Sequence, residues 1–73
     1  GKTNISIFAE KDELVTVNIR DYTGKLVYSQ KAQISKGKNI IPITNLNVYS
    51  DGVYHVQLLF DDKMYTLKLI IKN

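Results

Sequence analysis

Apolar and polar residues alternate with a period of two almost from the start of the chain. Thr3, Ile5, Ile7 and Ala9 share one side of an extended segment, and Asn4, Ser6 and Phe8 the other, which predicts a half-buried strand. Residues 10–13, Glu-Lys-Asp-Glu, are too polar to bury and suit a hairpin turn. The cleanest alternation follows, with Val15, Val17 and Ile19 inward and Thr16, Asn18 and Arg20 outward. Asp21-Tyr22-Thr23-Gly24 then reads as a type I turn: the Asp side chain caps the backbone two residues on, and Gly supplies a positive φ.

Residues 25–31 form a third strand with apolar residues on both faces, as expected near a sheet edge or under a loop. Residues 32–38 read as a connection, anchored by Ile34 and turning at Ser35-Lys36-Gly37-Lys38. A short strand at 39–43 points Ile41 and Ile43 inward; Pro42 cannot donate to a ladder, so this strand belongs at an edge or turns position 42 away from its neighbour. Leu46 pins an irregular loop over 45–51, rich in Asn, Ser and Asp.

The last stretch carries the strongest hairpin signature. Gly52-Val53-Tyr54-His55-Val56-Gln57-Leu58-Leu59-Phe60 and Met64-Tyr65-Thr66-Leu67-Lys68-Leu69-Ile70-Ile71 flank the break Asp61-Asp62-Lys63. Tyr54, Val56, Leu58 and Phe60 should face inward from the first strand, and Tyr65, Leu67, Leu69 and Ile71 from the second. No segment sustains a 3.6-residue period, so no helix longer than a turn is expected. Short strands at spacings of roughly 8–12 residues predict an all-β fold, an antiparallel β-sandwich of six or seven strands with Greek-key connections.

Length and charge restrict the reading further. With 73 residues there is room for one domain, and so short a chain buries only about 60% of its unfolded surface. The chain has no cysteine, so neither a disulfide nor a thiolate metal site supports it. Ten Lys and Arg against seven Asp and Glu give a net charge of +3, scattered with no basic run of the kind a nucleic-acid surface would use. Neither a signal peptide at the N-terminus nor an apolar run near the ~20 residues of a membrane helix is present. Residues 1–73 therefore read as a single domain; were it exported, the export signal would lie upstream in a larger precursor, with Gly1 a boundary in it.

Candidate chemistry is sparse. His55, the one histidine, lies on the strand face opposite Tyr54 and Val56 without a visible acid or nucleophile beside it, so it reads as a surface residue and not as a general base or ligand. Asp61 and Asp62 are adjacent and point apart, which suits a turn better than acid–base work. Neither they nor Asp12 and Glu13 match the oxygen spacing of a calcium loop. Gly24 and Gly37 lack the strand, Gly-rich loop and helix of a phosphate site. No catalytic residue, cofactor, metal or nucleic acid is expected.

Three features taken in order resemble one family: Asp21-Tyr22-Thr23-Gly24-Lys25-Leu26-Val27, then Gly52-Val53-Tyr54-His55-Val56, then Lys68-Leu69-Ile70-Ile71-Lys72 near the C-terminus. In this arrangement the chain resembles the C-terminal sorting domains of type IX secretion cargo in Bacteroidetes-type bacteria, and Gly37-Lys38-Asn39 with Ile41, Ile43 and Leu46 also fits. Its first residue falls after the place where the family's Pro-Asn-Pro segment would sit, and its loop before Gly52 is longer than usual.

The resemblance implies an immunoglobulin-like label that is bound and does not catalyse. The cargo passes the periplasm by a separate N-terminal signal, and the outer-membrane translocon reads the label. A sortase-like signal peptidase then removes it as the cargo reaches the cell surface or is released. Recognition is expected at Lys68, Leu69, Ile70, Ile71, Lys72 and Asn73, with Lys68 and Lys72 exposed and Leu67, Leu69 and Ile71 on the core. Asp21, Gly24, Lys25, Val27, Gly52, Tyr54 and Val56 are expected to shape the fold. The runner-up is a small adhesion or carbohydrate-binding module. Long apolar edge strands also suggest an edge-paired or strand-exchanged homodimer.

Overall fold

The computed structural model describes residues 2–72. Within them the chain forms six strands: β1 (Thr3–Ala9), β2 (Glu13–Arg20), β3 (Leu26–Ile34), β4 (Gly37–Ile43), β5 (Gly52–Leu59) and β6 (Met64–Ile71). One 3₁₀ turn, Leu46–Val48, lies between β4 and β5. β1 and β4 pair as a two-stranded sheet, and the other strands form a sheet in the order β3-β2-β5-β6. Every pairing is antiparallel. The two sheets share one core, drawn from Ile5, Ile7, Ile41 and Ile43 on one side and Val15, Val17, Ile19, Val56 and Leu58 on the other. This is the expected immunoglobulin-like sandwich, with six strands.

Alternation builds the core because successive strand side chains point to opposite faces. On β2, flanked on both sides, Val15, Val17 and Ile19 have no solvent exposure. Each such burial contributes about 1.5–3 kcal/mol. β3 is an edge strand, as its two-faced apolar content suggested, and a register shift between Ile19 and Arg20 sets Val27 off the regular pairing. Pro42 is exposed opposite Asn4 on a strand with one partner, the edge setting in which a sheet accommodates proline.

Two connections differ from the sequence expectation. Residues 10–13 do not close a hairpin: β1 pairs with β4, and the chain crosses to the other sheet before β2. Residues 32–38 are mostly strand, because β3 runs through the buried Ile34 and β4 begins at Gly37. Only Ser35 and Lys36 remain between them as a tight corner. Asn39 Oδ1 accepts from Ser35 N at 3.0 Å while Asn39 Nδ2 donates to Ser35 O at 2.7 Å. Lys36 N donates to Asp12 Oδ1 at 2.7 Å. The polar residues that looked like turn formers thus tie the two sheet-to-sheet crossings together, and Gly37 takes the positive φ of 104° that the corner needs.

The β2–β3 turn follows its sequence. Gly24 has φ 91°, and Gly24 N donates to Asp21 O at 3.0 Å. Asp21 Oδ1 accepts from Thr23 Oγ1 at 2.6 Å, Thr23 N at 2.9 Å and Lys25 N at 3.0 Å. The Thr23 hydroxyl does most to hold the Asp21 carboxyl below its ordinary pKa, helped by the two backbone N–H groups and the Lys25 charge. A carboxyl whose folded pKa is depressed contributes stability above its unfolded pKa and loses it as pH falls through the folded one. Asp21→Ala should therefore lower the thermal midpoint at pH 7, and the gap to wild type should narrow as pH falls below the usual Asp pKa of about 3.9 and through the lower folded one. Thermal melts of both proteins across that range check it; a gap that persists unchanged at low pH would contradict the turn's role.

Candidate recognition strand and its surroundings

β6 pairs with β5 alone, from Gly52 opposite Ile71 to Leu59 opposite Met64, and its other edge is unpaired among the described residues. The hairpin closes through Phe60 N donating to Lys63 O at 2.9 Å. Lys63 Nζ then lies 5.6 Å from the Phe60 ring centre and 5.9 Å from that of Tyr65, two rings packed edge to face at 5.8 Å. Such cation–π contacts at an exposed site contribute about 0.5–1 kcal/mol each.

Along β6, Lys68 and Lys72 are exposed as expected, Ile70 is 66% exposed, Leu69 is half-buried and Ile71 is buried. Asn73 lies outside the described residues. The expectation that Tyr65 and Leu67 sit in the core is corrected: they are 51% and 45% exposed, and Phe60 is half-buried. They point to the inner face, but a two-stranded sheet cannot cover a four-stranded one. The uncovered strip becomes a groove of about 290 Å³ between β1 and β6, lined by Ile7, Ala9, Leu58, Phe60, Tyr65 and Leu67. Ile71 anchors the strand at one end and the Phe60–Tyr65–Lys63 cluster at the other.

The residues expected to shape the fold fall on two structural joints. Tyr54 is buried and donates its hydroxyl to Ser50 O at 2.7 Å. Its ring lies 6.0 Å from that of Tyr49, whose hydroxyl donates to Val27 O at 3.1 Å. These bonds join the loop before β5 to edge strand β3. Val56 is buried, Val27 packs against the core at its margin, Lys25 is exposed, and a Cβ at Gly52 would meet only Tyr54 Cε1 at 4.0 Å.

The outward face of the four-stranded sheet was not legible in the sequence. Arg20 is opposite His55 and His55 opposite Lys68, so three basic side chains separated by 35 and 13 positions form one row. Beside it Asn18 is opposite Gln57, and Gln57 opposite Thr66. Arg20 Nε donates to Gln57 Oε1 at 2.9 Å and Ser29 Oγ to Asn18 Oδ1 at 2.6 Å. His55, set aside as a surface residue, is exposed at the centre of this row.

Comparison with curated proteins and with solved structures gave no significant match. Comparison with family models matched residues 1–72 to the secretion system C-terminal sorting domain. With essentially its whole length matched, and with the sandwich and terminal hairpin in place, the chain belongs to the family of C-terminal sorting domains that direct cargo to type IX secretion.

Proposed function

We propose that the type IX machinery reads this sorting signal at the free edge of β6, over residues 68–73, by adding a strand of its own. The observation that carries the reading is the position of β6: an edge strand anchored by Ile71, with Lys68, Ile70 and Lys72 exposed along it. Main-chain hydrogen bonds along such an edge supply affinity, and alternate side chains supply specificity. No catalytic step is required of the domain. In this reading the outer-membrane translocon is the partner, the cargo reaches it through the periplasm, and a sortase-like peptidase removes the label at the surface. An edge-paired or strand-exchanged homodimer would occupy the same edge, so the monomer is the form the translocon reads.

A fluorescent cargo carrying this chain at its C-terminus, preceded by an inner-membrane signal, tests the reading in a type IX-secreting bacterium. Surface fluorescence is expected in the parent strain and loss of it in a strain lacking the translocon pore. Equal surface delivery in both strains would refute translocon recognition.

A further inference from the structure

We infer that the outward face of the β3-β2-β5-β6 sheet is a second docking surface, complementary to an acidic patch on a protein of the export machinery. The inference rests on the sorting-signal reading and adds to it a second contact, of defined charge, on the sheet face that runs from Lys68 of β6 across β5 and β2 to Lys31 of β3.

The first observation is the distribution of charge. The chain has seven acids, at positions 10, 12, 13, 21, 51, 61 and 62. All lie in turns or loops except Glu13, which opens β2 on the side of the inward Val15. No carboxylate falls at an outward position of the four strands, whereas Arg20, Lys31 and Lys68 all do. Arg20 and Lys68 flank His55 in one row across β2, β5 and β6, with no acid among them. A partner bringing carboxylates to this row would give Arg20 and Lys68 the acidic neighbours the sheet face does not supply.

The second observation concerns hydrogen bonding. The side-chain oxygens of Asn18 and Gln57 are already engaged, by Ser29 Oγ and Arg20 Nε. What each amide has left to offer is its N–H₂ group, a donor. Together with Arg20 and Lys68, the centre of the face presents donors and asks for acceptors, which carboxylates meet best because charge-assisted bonds are the stronger ones.

The third observation selects a protein over a polysaccharide or nucleic acid. Val53 and Ile70 flank the basic row at one end, 38% and 66% exposed, and Met64 lies toward the other end at 55%. Apolar side chains around a polar stripe match a protein surface, and no aromatic side chain points outward here for a base or sugar ring to stack on. Four strands about 4.8 Å apart and some 25 Å long present roughly 400 Å², about half of one side of a standard interface. The contact is therefore weak and quickly reversed, as suits a label that must be handed on.

Solubilised translocon complex from a type IX-secreting bacterium, immobilised and probed with this chain, provides the test. Lys31→Glu combined with His55→Glu should weaken binding about tenfold at ~0.05 M salt, with the difference from wild type shrinking toward ~0.5 M as screening grows. Lys36→Glu with Lys38→Glu changes net charge at least as much, away from this face, and should leave binding within about twofold. Matching thermal midpoints confirm that each variant folds. Equal loss in both pairs, or no loss in the first, overturns the docking face while leaving the sorting reading intact. Wild type that fails to bind the complex at all defeats both. Charge-sensitive binding to alginate in place of the complex would overturn the protein partner in favour of an anionic polysaccharide.

Discussion

Removing residues 68–73 is expected to abolish surface delivery of a fused cargo. The cut takes away the second half of β6: the partners of Gly52, Val53, Tyr54 and His55, among them Ile71, the one buried residue of that strand. Folding and recognition therefore fall together, and the deletion alone cannot say which is lost. Lys68→Glu with Lys72→Glu separates them. Both side chains are exposed, so stability should stay within about 0.5 kcal/mol, while delivery should fall about tenfold if residues 68–72 are read directly. Cell-surface fluorescence paired with the urea midpoint of the purified domain gives both quantities. Normal delivery of the truncated cargo would remove β6 from the mechanism.

Ile19→Ala is expected to have the largest effect on stability. Ile19 is fully buried on the strand that joins β3 to β5. Truncating such a residue costs about 2–5 kcal/mol, the transfer of the lost methyl groups plus the cavity they leave. A 73-residue domain has only about 4–11 kcal/mol to lose at 0.05–0.15 kcal/mol per residue. The urea midpoint should fall by a large fraction, and fused cargo should be delivered poorly at growth temperature. Ile40→Ala, on the exposed side of β4, should change stability by no more than about 0.5 kcal/mol. A loss below about 1 kcal/mol for Ile19→Ala would show that the core tolerates a gap at its centre.

What was legible in the sequence was face, and what was hidden was neighbour. Ile5, Ile7, Val15, Val17, Ile19, Ile41 and Ile43 turned inward as their alternation required, because a period of two specifies which side a residue takes. It does not specify which strand lies alongside, so residues 10–13 looked like a hairpin turn although β1 pairs with β4. The polar residues Ser35 and Asn39 hid the end of β3 because their hydrogen bonds serve a corner between sheets. Tyr65 and Leu67 have inward parity without inward burial, which depends on how far the opposite layer reaches. At the candidate site, the exposed Lys68 and Lys72 were legible, while the basic row needed a register to bring Arg20, His55 and Lys68 together. The resemblance carried by Asp21, Gly24, Gly52, Tyr54 and the terminal strand supplied the family; alternation alone would have stopped at a small sandwich.

The strand order has a temporal side. β2 is synthesised early, but its inner neighbour β5 arrives some forty residues later, opposite it from Thr16–Leu59 to Arg20–His55. β1 likewise waits for β4, with Thr3 paired to Ile43. Such long closures must be completed before their contacts repay the chain entropy they cost. Until β5 and β6 leave the ribosome, the four-stranded sheet has no centre and lacks the edge strand proposed for recognition. A cargo cut short in translation would carry no readable address, so the export machinery would receive only chains that had been finished.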